Sequence, residues 1–145
     1  MNSFQQPIAG EQSAGTLHLI PTEDRPTVWI VNAANTTSWG TGDFSSYVPA
    51  GVKALHLHGV VSYNYNATSP YFGAQLDRYG GTATDNEQFQ MMIVYDNATG
   101  SGKTNQIYYP TIICPCDSSG KIRYRNYAGA PLTGALYLNI VGYYI

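Results

Sequence analysis

The chain has 145 residues, of which 43% are hydrophobic and only 11% charged, and its formal net charge is −2. That length supports one domain burying about two-thirds of its surface, so a core forms without disulfides or metal. Seven Lys and Arg give no basic face to neutralise phosphates, and no apolar run approaches the ~20 residues of a membrane-spanning helix, so neither nucleic acid nor membrane is an expected partner.

Thirteen Tyr, thirteen Thr, ten Asn and ten Ser take the place that Lys and Glu hold on most protein surfaces. Tyr and Thr favour strands; Asn, Ser and the 15 Gly favour turns. The expected fold class is all-β: a single-domain, antiparallel β-sandwich, jelly-roll-like, with an extended N-terminal arm. Residues 1–26 read as that arm and 27–145 as the sandwich domain. Residues 1–15 are polar and carry no Lys or Arg, so no secretory signal is visible. Within the arm, Thr16 to Ile20 has the makings of a short edge strand. Leu17, Leu19 and Ile20 are poor residues to leave in water, which makes them candidate oligomer or capsid contacts.

Thr27 to Asn32 is β-branched and aromatic and reads as the first strong strand, closed by a loop at 35–42. Val48-Pro49-Ala50-Gly51 is a turn. Val52 to Tyr65 reads as one long central strand, because both of its faces carry apolar residues. Residues 66–86 read as a long loop and Gln88 to Tyr95 as a strand, followed by a loop at 96–105. Gln106–Cys116 and Lys121–Tyr127 form a hairpin around Asp117-Ser118-Ser119-Gly120, with Gly where a positive φ is needed. Gly134 to Ile145 is the last strand. Its Leu136, Leu138 and Ile140 alternate, and they must be buried in a sheet or at a subunit contact.

The chemistry-bearing motifs are few. Gly100-Ser101-Gly102-Lys103-Thr104 imitates a phosphate loop, but the earlier Gly of that pattern is Asn97 here and a strand follows instead of a helix. His56 and His58 share one strand face by period two, yet two imidazoles do not close a metal site, so no metal or other cofactor is expected. Cys114 and Cys116 flank Pro115, a spacing that suits buried free thiols at an edge position. Asp77, Asp85 and Glu87 accompany Arg78 in or beside the long loop and read as solvated or paired acids, and no serine elbow is present, so no catalytic residue is expected. Tyr63, Tyr65, Tyr71, Phe72 and Tyr79 crowd the same region with interleaved Asn. Such aromatic and amide surfaces pack against sugar rings or protein partners.

The segment Phe44-Ser45-Ser46-Tyr47-Val48-Pro49-Ala50-Gly51-Val52-Lys53-Ala54-Leu55 and the ending Gly134 to Ile145 resemble small β-sandwich virion structural proteins of tailed bacteriophages. That group includes capsid decoration (cement) proteins and fibre head domains. The resemblance covers about a quarter of the chain and rests on turns and composition; it transfers no functional residue. It implies a non-enzymatic virion protein, assembled in the host cytoplasm as a homotrimer on the major capsid protein or other virion proteins. The alternative expectation is a carbohydrate-binding, receptor-binding module of a fibre, or a free lectin-like domain, using the Tyr-rich 63–79 region.

Overall fold

The computed structural model describes residues 15–34, 38–64, 71–81, 89–94, 104–128 and 133–145; of these, 32–34, 63–64, 71–73, 89–94, 104–106, 126–128 and 133–134 are described by backbone alone. The described residues form strands β1 (Leu17–Leu19), β2 (Val31–Ala34), β3 (Gly40–Asp43), β4 (Ala54–Asn64), β5 (Tyr71–Arg78), β6 (Phe89–Val94), β7 (Thr104–Pro115), β8 (Lys121–Ala128) and β9 (Thr133–Tyr144). A single 3-10 turn at Thr22–Asp24 is the only helical element among them. The chain is all-β, and every strand pairing among the described residues is antiparallel.

Two sheets result. In the larger one the order is β1-β9-β4-β7, with β2 pairing the other half of the β9 edge; in the smaller it is β3-β8-β5-β6. Both contribute to one hydrophobic cluster. Leu55, Leu57, Val61, Ile112, Cys114, Leu136, Leu138 and Ile140 come from the larger sheet, and Ala74, Leu76 and Ile122 from the smaller. Phe44, fully buried, joins them just after β3. β4 and β9 are central, which explains their apolar character on both faces. β3 needs glycine for a steric reason: a Cβ on Gly40 would lie 2.7 Å from the Tyr124 ring opposite it. In the β7–β8 turn Gly120 has φ +83°, the left-handed conformation anticipated for it.

Bulges shift the side-chain pattern of the larger sheet. Opposite His56 and Leu57 of β4, strand β9 presents Gly142 and then Ile140, leaving Val141 as an extra residue. Opposite Leu57 and Gly59, strand β7 presents Ile112 and then Tyr109, so Pro110 and Thr111 together face His58. A bulge reverses the facing of the residues beyond it. Tyr143 therefore turns inward and packs on the core, where strict alternation from Leu136 puts it on the opposite face. Pro110 sits at the irregularity, where its missing N–H interrupts least.

Three expected elements are corrected. The strand expected over Thr27–Asn32 begins only at Val31, because residues 21–29 leave the β9 edge. The chain leaves after Ile20 N donates to Val141 O and returns where Ile30 N donates to Leu138 O. The loop expected at 35–42 contains the start of β3. The long loop expected at 66–86 contains β5, a central strand of the smaller sheet whose Ala74 and Leu76 are fully buried. Pro70, Gly73, Gly80 and Gly81 hid it, because punctuation at both ends and one internal Gly read as loop.

Candidate functional site

The outer face of the larger sheet is the most unusual surface among the described residues. Inward positions on β4 are Leu55, Leu57 and Val61, so Ala54, His56, His58 and Val60 point outward. Cross-strand register carries that face sideways. One row runs Leu19–Gly142–His56–Ile113 and the next Leu17–Tyr144–Ala54–Pro115, across β1, β9, β4 and β7. Gly142 lets β1 approach closely, since a Cβ there would lie 2.8 Å from the His18 backbone oxygen and 3.3 and 3.4 Å from the Leu19 and Leu17 side chains. Farther along, Tyr137, Val60 and Tyr108 form a third row. None of these positions is charged. Leu19 is 61% exposed, Ile113 48% and Tyr108 67%.

Residues 21–30 lie over the middle of this face. Asn139 Nδ2 donates to Pro26 O at 3.2 Å, and the Trp29 ring sits 6.2 Å from that of Tyr137. Arg25 turns back on its own chain, its Nε donating to Ile20 O at 2.7 Å. Beneath the segment both His56 ring nitrogens and Asn139 Oδ1 are buried with no hydrogen-bond partner among the described residues. Burial holds the His56 pKa below its ordinary 6.5, with His58 and Arg25 adding to the effect. The expected sharing of one face by His56 and His58 holds, with His58 exposed beside Asn139. No group of three metal-ligating side chains occurs among the described residues.

The expected contact residues divide. Leu17 and Leu19 lie on the exposed outer face. Ile20 is 7% exposed and belongs to the core, and Leu136, Leu138 and Ile140 have no exposed surface at all. As oligomer or capsid contacts those four are corrected: their apolar side chains are consumed within this chain. Tyr79 is exposed in the turn after β5. Tyr63, Tyr71 and Phe72 lie in β4 and β5 by backbone, and their side chains, like all of Tyr65, fall outside the described residues. Asp85, Glu87 and the Gly100–Lys103 segment fall outside as well.

Asp77 has structural work. It accepts both Arg123 Nε, at 2.8 Å, and Arg123 Nη2 from β8, while Arg125 Nε donates to Gln75 Oε1. Both guanidinium groups lie against Trp39, at 4.2 and 4.6 Å from the ring centroid. Cys114 and Cys116 are free and buried; burial pushes their thiols up to about 12 and about 11, so both are inert at neutral pH.

Sequence reasoning passed over Lys53 and Arg78, which the fold brings to one pocket of about 410 Å³ at the end of the sheets. They are 25 positions apart on different strands' flanks, so only tertiary structure relates them. Compared with protein-family models and with curated proteins, the chain matches none.

Proposed function

We propose that the protein is a non-enzymatic structural subunit that assembles with copies of itself through the outer face of its larger sheet, as a virion decoration protein does. The observation that carries this reading is the pair of uncharged cross-strand rows holding Leu17, Leu19 and Ile113 in water. An apolar face this broad is costly to leave solvated, and contiguous apolar surface marks interaction sites. A second copy is the occupant it suits: with no charge on the rows, apposing two such faces meets no like-charge repulsion. Contact through the β7 edge is disfavoured, because that edge carries Pro110 and Pro115, which interrupt pairing with another strand.

The strand order supports a jelly-roll reading of the sandwich. A β2-β9-β4-β7 sheet against a β3-β8-β5-β6 sheet is the order that two intertwined Greek keys produce. Capsid and lectin domains both use that architecture, so the virion setting rests on the resemblance of the Phe44–Leu55 and Gly134–Ile145 segments.

The test is mass in solution by light scattering at micromolar concentration. Wild type is expected as a homo-oligomer, a trimer by the virion reading. Leu19→Asp with Ile113→Asp is expected to be a folded monomer. A monomeric wild type sinks the assembly reading. Failure of the oligomer to co-sediment with its cognate empty capsids in 0.15–1 M salt sinks the decoration reading, since an apolar contact is not screened by salt (Debye length about 8 to 3 Å over that range).

A further inference from the structure

Lys53 and Arg78 are the two cations among the described residues whose charged groups have no partner. Arg25 is held by Ile20 O, Lys121 by Asp43, Arg123 by Asp77, and Arg125 by Gln75. Lys53 precedes β4 and uses only its backbone, its N–H donating to Tyr144 O and its carbonyl accepting from Cys116 N. Arg78 ends β5, and its backbone N–H caps the Asp77 carboxylate while its carbonyl accepts from Gly81 N. In a chain with so few charges, two unpaired cations lining one cavity are not explained by stability.

The cavity around them is built of ordered parts. Gly51, Val52, Pro115, Cys116 and Ser118 complete its lining. Gly51 N donates to Ser118 O at 2.8 Å, and Cys116 N to Lys53 O at 3.1 Å, so the β3–β4 connection and the β7–β8 turn are locked together. Gly51 has φ +89° and open space where a Cβ would be. Asp117, between the lining residues Cys116 and Ser118, is already engaged by the backbone N–H groups of Ser119 and Lys121. Pro115 supplies exposed apolar surface, backed by the core residue Val52.

From this juxtaposition we infer that the pocket binds a small organic acid, its carboxylate or phosphate held between Lys53 and Arg78 and its carbon skeleton against Pro115. Arg offers a planar fork that matches either oxyanion, and Lys adds a point charge. A volume of about 410 Å³ accommodates an acid of sugar size. Cys116, among the lining residues, is a neutral thiol and leaves the two positive charges uncancelled. The site is independent of the assembly face, which it meets only at Pro115.

The experiment is an amide-resolved NMR titration of the full chain with glucuronate, glucose 6-phosphate, glucose and inorganic phosphate. At least one of the two sugar acids is expected to shift Gly51, Cys116 and Ser118 saturably below ~10 mM, with glucose silent. Arg78→Gln and Lys53→Gln, each melting like wild type, are expected to weaken that binding tenfold or more, and Lys53→Arg to retain it. No saturable shift with either acid overturns the assignment, as does equal binding of glucose or unchanged affinity in Arg78→Gln. Inorganic phosphate binding as tightly as the acids reduces the site to an adventitious ion only. The mass of each sample is read by light scattering alongside, so loss of assembly and loss of binding are distinguished.

Discussion

The two sheets solve the problem of their outer faces in opposite ways. On the smaller sheet the outward positions of β5 and β8 include Gln75, Asp77, Arg123 and Arg125. They pair across strands and clasp Trp39, so these described side chains cover one another; Gln75 is only 4% exposed. On the larger sheet the outward positions are uncharged, and residues 21–30 cover only the middle. Cross-strand pairs stabilise a sheet on whichever face they occur. The difference is that a charge-paired face tolerates water and an apolar one does not. The described part of one face is charge-paired within the chain, and the other face is completed by a partner under the proposed function.

The largest expected effect tests the core on which both faces rest. Leu138 is fully buried on β9, and Leu138→Ala removes its contacts and leaves a cavity, a cost of about 2–5 kcal/mol. A loss below about 1 kcal/mol in a denaturant melt, outside that range, would show that β9 does not anchor the two sheets to one core.

Breaking the polar face comes next. Asp77→Asn strips the carboxylate from Arg123, with both side chains mostly buried at 12% and 18% exposed. Some water contact remains, so the loss should be about 2 kcal/mol, less than for a fully buried pair. An unchanged melting midpoint would make the smaller sheet's network decorative.

His56 offers a smaller, pH-dependent test of the larger sheet. Its folded pKa lies below 6.5, so the unfolded chain takes up the proton first. Stability is therefore full above pH 6.5 and declines as the pH falls through that value toward the lower, folded one. Melts from about pH 8 to about pH 5 should show this slope, reduced in His56→Gln. An equal slope in both proteins would assign it elsewhere. The smallest expected change is Leu19→Asp, within about 0.5 kcal/mol for the isolated fold, because Leu19 is exposed. If that substitution unfolds the chain, the β1 edge belongs to the core and not to a docking face.

Much of the β-fold was legible in residue order. Tyr, Thr and Val runs marked β4, β7, β8 and β9, and Asp117 to Gly120 marked the turn between β7 and β8, because strand and turn preferences act over a few residues. β5 was not legible, since Tyr71 to Arg78 mixes Gly, Gln and Asp and becomes a strand only by pairing with β6 and β8. The same limit hid the bulges at Val141 and Pro110–Thr111, which exist only relative to a neighbouring strand.

Composition and alternation by themselves determined an all-β, charge-poor chain with an apolar last strand and two buried free thiols. Tertiary structure alone decided which apolar residues are spent. Leu136, Leu138 and Ile140 went to the shared core, Leu17 and Leu19 to the surface, and Lys53 and Arg78 to a common pocket. The physical reason is that alternation assigns a residue to one of two faces but not to what lies against that face. A second sheet lies against the inner face of β9, and only the register of four strands shows that its outer face is uncharged and only partly covered, with Leu19 and Ile113 left exposed.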